Sequence, residues 1–190
     1  MKLIYCYILL CFGLLACGSR SDKNYIKNYV LAVENGDAKT RLKFEALISE
    51  FNEYAGIEAL HYSQSMDDAN SIINLVKDLR YRSDDGHKIG WGQWMTTTTE
   101  KRSYSGFKRN DLKTIEYSMH IELDQDYVES RILSAKNSAA HYDLQKLFFH
   151  EVGHGLQMPH NPDKNHMMYE EISGYKDFAG FFEEVMHFFD

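Results

Sequence analysis

Five consecutive residues, His150-Glu151-Val152-Gly153-His154, carry the side chains of this sequence that are best suited to chemistry. On a helix, residues four apart lie on one face about one turn from each other, so both imidazoles can reach one metal ion. Zinc accepts imidazole nitrogen, and in catalytic sites it keeps one position for a water whose pKa it lowers to about 7. The Glu151 carboxylate would act on that water as a general base.

A third imidazole follows His154 by six residues. Pro159 prevents further helix just before His160, and a chain that turns back there could place His160 against the same ion. The alternative third ligands are downstream carboxylates, namely Asp163, Glu170, Glu171, Glu183 and Glu184. The three-histidine set predicts one catalytic zinc ion.

These residues resemble the metzincin zinc endopeptidases, whose motif is HExxHxxGxxH followed by a methionine turn beneath the metal. His150, Glu151, His154 and His160 match that motif position by position, and Asn165-His166-Met167-Met168-Tyr169 resembles the Met-turn. The eight-residue step from His160 to Met168 is similar to that of the matrixin-like branch.

The resemblance implies that Met168 supports the ligand histidines from below without binding the metal. If Met167 were the turn residue, Tyr169 would stand two residues on, where astacin-like and serralysin-like members carry a tyrosine that helps to stabilise the transition state. Both methionines could instead fill the core, the usual role of Met. Gln157 stands where the family has a glycine with positive φ, and a residue other than glycine there costs about 1 kcal/mol.

The fold that the resemblance implies is α+β, with a twisted mixed sheet, two long helices, an active-site helix with its Met-turn, and a C-terminal helix. The activity that it implies is peptide hydrolysis, in which zinc polarises the scissile carbonyl and Glu151 passes a proton from water to the leaving amine. The substrate would add a strand to a sheet edge, either residues 94–99 or residues 118–123. The alternative is a catalytically weak or inactive zinc-containing envelope lipoprotein that binds peptides.

Hydrophobic spacing predicts the elements that precede the motif. Residues 38–54 carry apolar side chains at roughly helical spacing, and Gly56 stands just past the end, where a left-handed C-cap is expected. Residues 56–62 have the pattern of a strand. Ser65 is expected to open a second helix over residues 65–80, with its isoleucines, valine and leucine on one side.

The second half of the chain is expected to contribute strands and then helices. Strands are predicted over residues 89–99, which are rich in Trp and Thr, and over residues 115–123, which alternate in side-chain type. A helix beginning around Asn137 and Ser138 carries the histidine motif. Phenylalanines at near-helical spacing after residue 177 predict a last helix packed on the domain.

The N-terminus predicts export. Residues 3–16 form an apolar stretch shorter than the roughly 20 residues that span a bilayer, as in a signal peptide. The stretch ends Leu14-Leu15-Ala16-Cys17, which resembles the lipobox of bacterial lipoproteins, with an ordinary secretory signal as the alternative. Residues 1–16 would be removed, 17–37 would form a lipid-anchored tether and N-terminal segment, and 38–190 the catalytic domain. We expect a cell-envelope lipoprotein held by acyl chains on Cys17, on the outer membrane with a periplasmic or surface face.

Composition excludes several other classes of protein. A formal net charge of -7 argues against nucleic-acid binding, and the single apolar run argues against a multi-pass membrane protein. Removal of residues 1–16 leaves Cys17 as the last cysteine, which excludes a disulfide framework. Asp84-Asp85-Gly86 and Asp124-Gln125-Asp126 are candidate Ca²⁺ loops, although neither has the EF-hand pattern. The expected partners are a peptide or protein substrate and the membrane.

Overall fold

The computed structural model describes residues 20–79, 88–105, 108–134 and 138–190. They form an α+β structure with a mostly parallel mixed sheet and, within these residues, four α-helices. The strands are β1 (Arg20–Ile26), β2 (Tyr29–Glu34), β3 (Leu60–Tyr62), β4 (Ser71–Val76), β5 (Gly90–Ser105) and β6 (Lys108–Asp124). The helices are α1 (Ala38–Ala55), α2 (Gln125–Leu133), α3 (Ser138–Gly155) and α4 (Phe178–Phe189). No helix among the described residues combines the length and apolar character needed to cross a membrane.

The chain divides into two compact units. The small unit comprises, among the described residues, 20–26, 96–105 and 108–116, and the large unit comprises the rest. In the large unit β2 lies between β3 and β4, and β4 pairs with the second half of β6, all in parallel. The middle of β2 is buried on both faces, at Leu31, Ala32 and Val33, which explains its continuous aliphatic run, whereas β4 alternates between buried and half-buried residues from Ser71 to Asn74.

The first predicted helix is confirmed, because α1 covers residues 38–55. The Asp37 side chain accepts a hydrogen bond from the Thr40 amide at 2.7 Å, and Gly56 ends the helix with φ 67°. Phe44 and Phe51 of α1 pack edge-on against two phenylalanines of α3, with ring centroids 5.6 and 5.2 Å apart. This packing buries the helix face that the spacing of apolar residues predicted.

The predicted helix over residues 65–80 is wrong. Ser65 does cap a turn, but only a 3-10 turn over Met66–Asp68, and β4 follows. The run Ile72 to Val76 is rich in β-branched residues and is central in a parallel sheet. Apolar residues fall on both faces of β4, with Ile73 buried and Ile72 half-buried, so its sequence does not alternate and can imitate one side of a helix. The predicted strand over 56–62 is reduced to β3.

The strands and helices predicted in the second half of the chain are confirmed, with β5 and β6 longer than expected and α3 and α4 at their expected places. The segment 17–37, assigned to a tether and N-terminal segment, contains β1 and β2. The Asp124 side chain accepts from the Tyr127 amide at 2.9 Å and caps α2, a helix that the sequence did not predict. The other candidate calcium loop, residues 84–86, lies outside the described residues, as does Cys17.

Candidate metal centre

Helix α3 ends in a turn that reverses the chain directly after the histidine motif. The Met158 amide donates to the Gly153 carbonyl at 2.9 Å and the Gln157 amide to the His154 carbonyl at 3.0 Å, which is the hydrogen-bond pattern of a Schellman motif. Gln157 occupies the left-handed position of this motif, with φ 68°. Glycine is preferred at this position of the motif, and this chain has glutamine there. The turn directs the chain back towards α3 at His160.

Three imidazoles meet at this turn. The Nε2 atom of His154 lies 3.2 Å from Nε2 of His150 and 3.2 Å from Nε2 of His160. Nitrogens that bind one zinc ion at 2.0–2.1 Å with tetrahedral angles are separated by about 3.3 Å, so these separations match two edges of such a tetrahedron. Among the described residues, these three histidines are the group whose side chains could hold a metal ion.

The outer ring nitrogens of two of these histidines are held by backbone carbonyls. His150 Nδ1 donates to the Met167 carbonyl at 2.8 Å, and His154 Nδ1 donates to the Met158 carbonyl at 3.0 Å. A neutral imidazole that carries its proton on Nδ1 has a bare lone pair on Nε2, as metal ligands require.

Burial keeps these rings neutral. It lowers the pKa of His150 to about 4 and also lowers the pKa of His154. Two Nε2 lone pairs then face each other at 3.2 Å with no proton between them. The arrangement is repulsive unless a cation lies between the nitrogens, so the donor set fits a divalent metal ion that prefers imidazole.

The two methionines of the predicted Met-turn are both fully buried, and they contact the centre in different ways. The backbone carbonyl of Met167 holds His150. The sulfur of Met168 lies beneath α3 at Gly153, where an added Cβ atom would come within 2.2 Å of it. Only glycine at position 153 lets this side chain approach the helix so closely. The structure thus brings both methionines to the centre.

Glu151 lies beside His150 on α3 and is only 4% exposed. Its Oε2 atom is buried with no hydrogen-bond partner among the described residues, and a Cβ atom on Gly90 would come within 2.3 Å of Oε1. Burial raises the pKa of this carboxyl to about 8, an effect that the charge of Lys88 reduces. A carboxyl that titrates near neutral pH can both take and give a proton there.

The loop after Met168 is held by a buried lysine that the sequence did not indicate. The Lys176 ammonium donates to the carbonyls of Lys164 and Glu171 and lies 4.9 Å from the centre of the Tyr169 ring. Tyr169 is therefore fixed against Lys176, and among the described side chains it makes no hydrogen bond or ring contact with His150, His154 or His160. A single sequence carries no signal for such a lysine, because lysine is usually exposed.

The alternative third ligands lie elsewhere. Glu184 faces His166, at 3.4 Å, and Asp163 accepts from the Asn165 amide. None of the five carboxylates belongs to the described group that could hold a metal ion. His160 is the third side chain of that group.

Two glycines of β5 were also missed as site residues. A Cβ atom on Gly92 would come within 2.3 Å of the Glu151 carbonyl oxygen and 3.1 Å of His154 Cβ, and Gly90 lies against the Glu151 carboxyl. The Gly-Trp-Gly sequence at residues 90–92 was the available signal, because glycine inside a strand marks a close approach of another backbone.

Replacement of Gln157 by Gly is expected to stabilise the protein by about 1 kcal/mol, because glycine adopts a left-handed φ without the steric cost of a Cβ atom. For a chain of this size that corresponds to a rise in Tm of about 2–4 °C. Gln157→Ala is the matched control, since alanine keeps the Cβ atom and should bring no gain. Thermal unfolding of the three proteins tests this, and equal stability of the Gly and Ala variants would contradict it.

The contribution of Glu151 to the stability of the metal-free protein should fall as pH rises from about 4.5 to 8, whereas the lowered pKa of His150 acts in the opposite direction below about pH 6.5. The pKa of Glu151 is raised in the folded state to about 8, so the folded protein keeps the proton longer than the unfolded chain does. The penalty is absent below the ordinary pKa, grows by about 1.4 kcal/mol per pH unit and is complete above pH 8. Glu151→Gln has no charge to bury, so its advantage over wild type should grow across this range.

Urea midpoints measured with a chelator at several pH values test this expectation. Glu183→Gln, on the exposed side of α4, is the control for loss of a carboxylate. A constant difference between Glu151→Gln and wild type at every pH would show that the carboxyl is not buried in this way.

An aromatic cavity of about 710 Å³ lies in the same unit, lined by none of the three histidines. Its walls include Tyr54, Tyr142, Tyr175, Phe178 and Phe182. Tyr175 belongs to the segment that follows Met168, so this segment links the cavity to the two buried methionines.

The centre combines three imidazoles, a buried carboxyl of raised pKa beside them, and a methionine sulfur beneath. Each of these features is a property of the structure of this chain itself. No protein-family model, curated protein or solved structure gives a significant match to it.

Proposed function

We propose that this chain is a zinc-dependent endopeptidase of the metzincin type, of the matrixin-like branch, on a bacterial lipoprotein. The observation that supports this most is the cluster of three Nε2 atoms, 3.2 Å from His154 to each neighbour, with Glu151 directly adjacent. A zinc ion held only for structure has no use for a buried carboxyl next to its ligands. The three histidines leave a fourth position open, as catalytic zinc requires.

His150, His154 and His160 would hold the ion. When bound, zinc supplies a Lewis acid that polarises a carbonyl and lowers the pKa of water to about 7. The carbonyls of Met167 and Met158 fix the outer nitrogens of two ligands, so the rings are oriented before the metal arrives.

Glu151 would carry the proton. Its carboxylate takes a proton from the attacking water while the water oxygen bonds to the scissile carbonyl carbon. The same carboxyl then gives this proton to the amine nitrogen as the carbon–nitrogen bond breaks. A pKa raised towards the working pH suits both steps, because neither direction of transfer is then strongly uphill.

The first part of β5, residues 90–95, is the sheet edge that best suits an extended substrate. Of the two edges that the sequence predicts, residues 94–99 belong to β5 and overlap this part only at its end, and residues 118–123 belong to β6, which pairs with β4 on one side and with β5 as well. β5 is an outer strand among the described strands, and its two glycines lie directly against Glu151 and His154. A peptide added there would run past the proton carrier.

Gly92→Ala is expected to destabilise the protein by about 1–3 kcal/mol and to lower peptide hydrolysis, because the new methyl group meets a backbone oxygen of α3. Gly180→Ala on α4 is the matched control, since its Cβ atom meets only a carboxylate oxygen, at 3.0 Å. Urea midpoints and kcat/KM for both variants test this. Wild-type values for Gly92→Ala would contradict the close approach of β5 to α3.

Cys17 would carry the lipid that anchors the protein to the cell envelope. The support is the lipobox at residues 14–17, which follows an apolar stretch of signal-peptide length. Several acyl chains bind a membrane stably, whereas one chain binds it only marginally.

The alternative is a zinc-containing lipoprotein that binds peptides without cleaving them. One observation favours it, which is that Glu151 is almost fully buried and lies against Gly90. A carboxyl so enclosed must become accessible to water before it can act as a base.

Incubation of the mature chain, residues 17–190 with Cys17→Ser, with a mixed peptide library and one equivalent of Zn²⁺ decides between the two. We expect cleavage that a chelator abolishes and added zinc restores, read by mass spectrometry of the new peptide termini. Stoichiometric zinc binding with intact peptides would favour the binding protein, and failure to bind zinc would contradict both.

A further inference from the structure

The small unit is a three-stranded sheet without a core. β1 pairs in parallel with the first part of β6, from Arg20 opposite Asn110 to Ile26 opposite Glu116, and β5 also pairs with β6. None of its described side chains is buried, and Tyr25 and Tyr104 are 51% and 73% exposed. A three-stranded sheet needs an apolar face or a packed element for its stability, so a surface that covers one face would stabilise this sheet.

The charge of the small unit is opposite in sign to that of the protein. Its described residues carry seven basic and four acidic side chains, a balance of +3, whereas the whole chain has a formal net charge of -7. The basic residues are Arg20, Lys23, Lys101, Arg102, Lys108, Arg109 and Lys113. The acidic residues are Asp22, Glu100, Asp111 and Glu116. Such an asymmetry indicates an anionic partner for this unit.

One face of the sheet collects these cations. Paired residues of parallel strands point to the same side of a sheet, as do residues two or four apart in one strand. Lys23 therefore shares a side with its partner Lys113, with Tyr25 two residues along β1 and with Arg109 four residues back along β6. Asp111, on the same side, pairs with Arg109 at 2.7 Å and is also near Arg102. Tyr104 interacts electrostatically with Arg109. We call this set the basic face: Lys23, Tyr25, Arg102, Tyr104, Arg109 and Lys113.

In the part of the chain that the structure describes, two of these cations, Lys23 and Lys113, form no ion pair with an acidic side chain. Arg109 has Asp111, and Arg102 has Glu100 at 3.9 Å. Lys23 and Lys113 stand directly opposite each other in the strand register. Like charges in that relation destabilise a sheet unless an anion lies between or above them.

The position of β1 in the chain points to a membrane as that anion source. β1 begins at Arg20, three residues after Cys17. Three residues span at most about 10 Å, which is close to the Debye length of about 8 Å at physiological ionic strength. A lipid on Cys17 would therefore hold the start of this sheet within electrostatic reach of phospholipid headgroups.

We propose that the basic face docks on an anionic phospholipid surface. Lys23 and Lys113 bind headgroup phosphates, and Tyr25 and Tyr104 lie at the level of the headgroups, where tyrosine is enriched in membrane proteins. The placement of the basic face close to the membrane rests on the lipid anchor of the proposed function. The electrostatic attraction between the basic face and anionic headgroups does not, because it uses only side chains of the small unit. A protein without acyl chains should therefore still show it.

The test uses residues 17–190 with Cys17→Ser and sedimentation with vesicles of phosphatidylcholine alone or with one-third phosphatidylglycerol. We expect binding to the anionic vesicles only, weakened by salt, and about fivefold weaker binding for Lys23→Gln or Lys113→Gln. Lys39→Gln removes the same charge from an exposed position of α1 and should change nothing. Unchanged zinc content shows that the variants are folded, and unchanged peptide cleavage, where the parent chain cleaves, shows that the metal centre is intact.

Three results would overturn the proposal. They are equal binding to both kinds of vesicle, binding that Lys39→Gln weakens as much as Lys23→Gln, and binding to a DNA duplex with none to anionic vesicles. Peptide cleavage is measured separately in solution, so failure of vesicle binding leaves the peptidase standing, and absence of cleavage leaves the vesicle result standing.

Discussion

Replacement of Glu151 by Gln is expected to lower kcat/KM for peptide hydrolysis by roughly 10²–10⁴-fold, the usual contribution of a general base. Gln has nearly the same shape as Glu, so it fits the enclosed space beside Gly90. It cannot take a proton from water, however, and therefore cannot give one to the leaving amine. Zinc affinity should remain, because the three ligand nitrogens belong to other side chains.

The measurement is single-substrate kinetics together with zinc titration of the same samples. Glu183→Gln, exposed on α4, controls for the loss of one negative charge and should keep wild-type values for both. Hydrolysis by Glu151→Gln within a few-fold of wild type would assign the proton transfer to another group. Loss of zinc together with activity would show that Glu151 supports the metal centre structurally, and the proposed mechanism would then need a different base.

The fold was predictable where local signals agreed with each other. α1 has a capping Asp37, apolar side chains at helical spacing and Gly56 at its end, and all three appear in the structure. The prediction for β4 failed because apolar residues lie on both of its faces, and periodicity cannot distinguish such a strand from one side of a short helix. β1 and β2 were missed for a related reason, since the pairing of strands distant in sequence leaves little trace in either strand alone.

The site was predictable where its residues share one helix. His150, Glu151 and His154 follow from helical geometry alone. The place of His160 depended on whether Gln157 would adopt a left-handed φ, which no propensity predicts for glutamine. The contacts of Gly90 and Gly92 with α3 join segments about 60 residues apart, and only tertiary packing could reveal them.

Removal of the third imidazole, by His160→Ala, is expected to reduce zinc affinity by more than the roughly 10–100-fold that loss of a ligand's outer hydrogen bond costs. His160 is the exposed member of the three, and its Nε2 lies 3.2 Å from His154 Nε2. The two remaining histidines lie on adjacent turns of one helix and would bind the ion from one side only. Peptide hydrolysis should fall with occupancy of the metal site.

The structure of the metal-free protein should survive this change, because the His160 side chain lies at the surface and fills no part of the core. The informative quantity is therefore the rise in Tm that zinc produces, because bound zinc stabilises the folded protein by a free energy of RT ln(1 + [Zn]/Kd), and this rise separates binding from folding. Wild type and His187→Ala, an exposed histidine on α4, should show the full rise, and His160→Ala should lose most of it. If His160→Ala kept the full rise, the third ligand would be one of the downstream carboxylates. Variants of Asp163 and Glu171 would then identify this ligand. Both residues make hydrogen bonds in the segment that follows the turn.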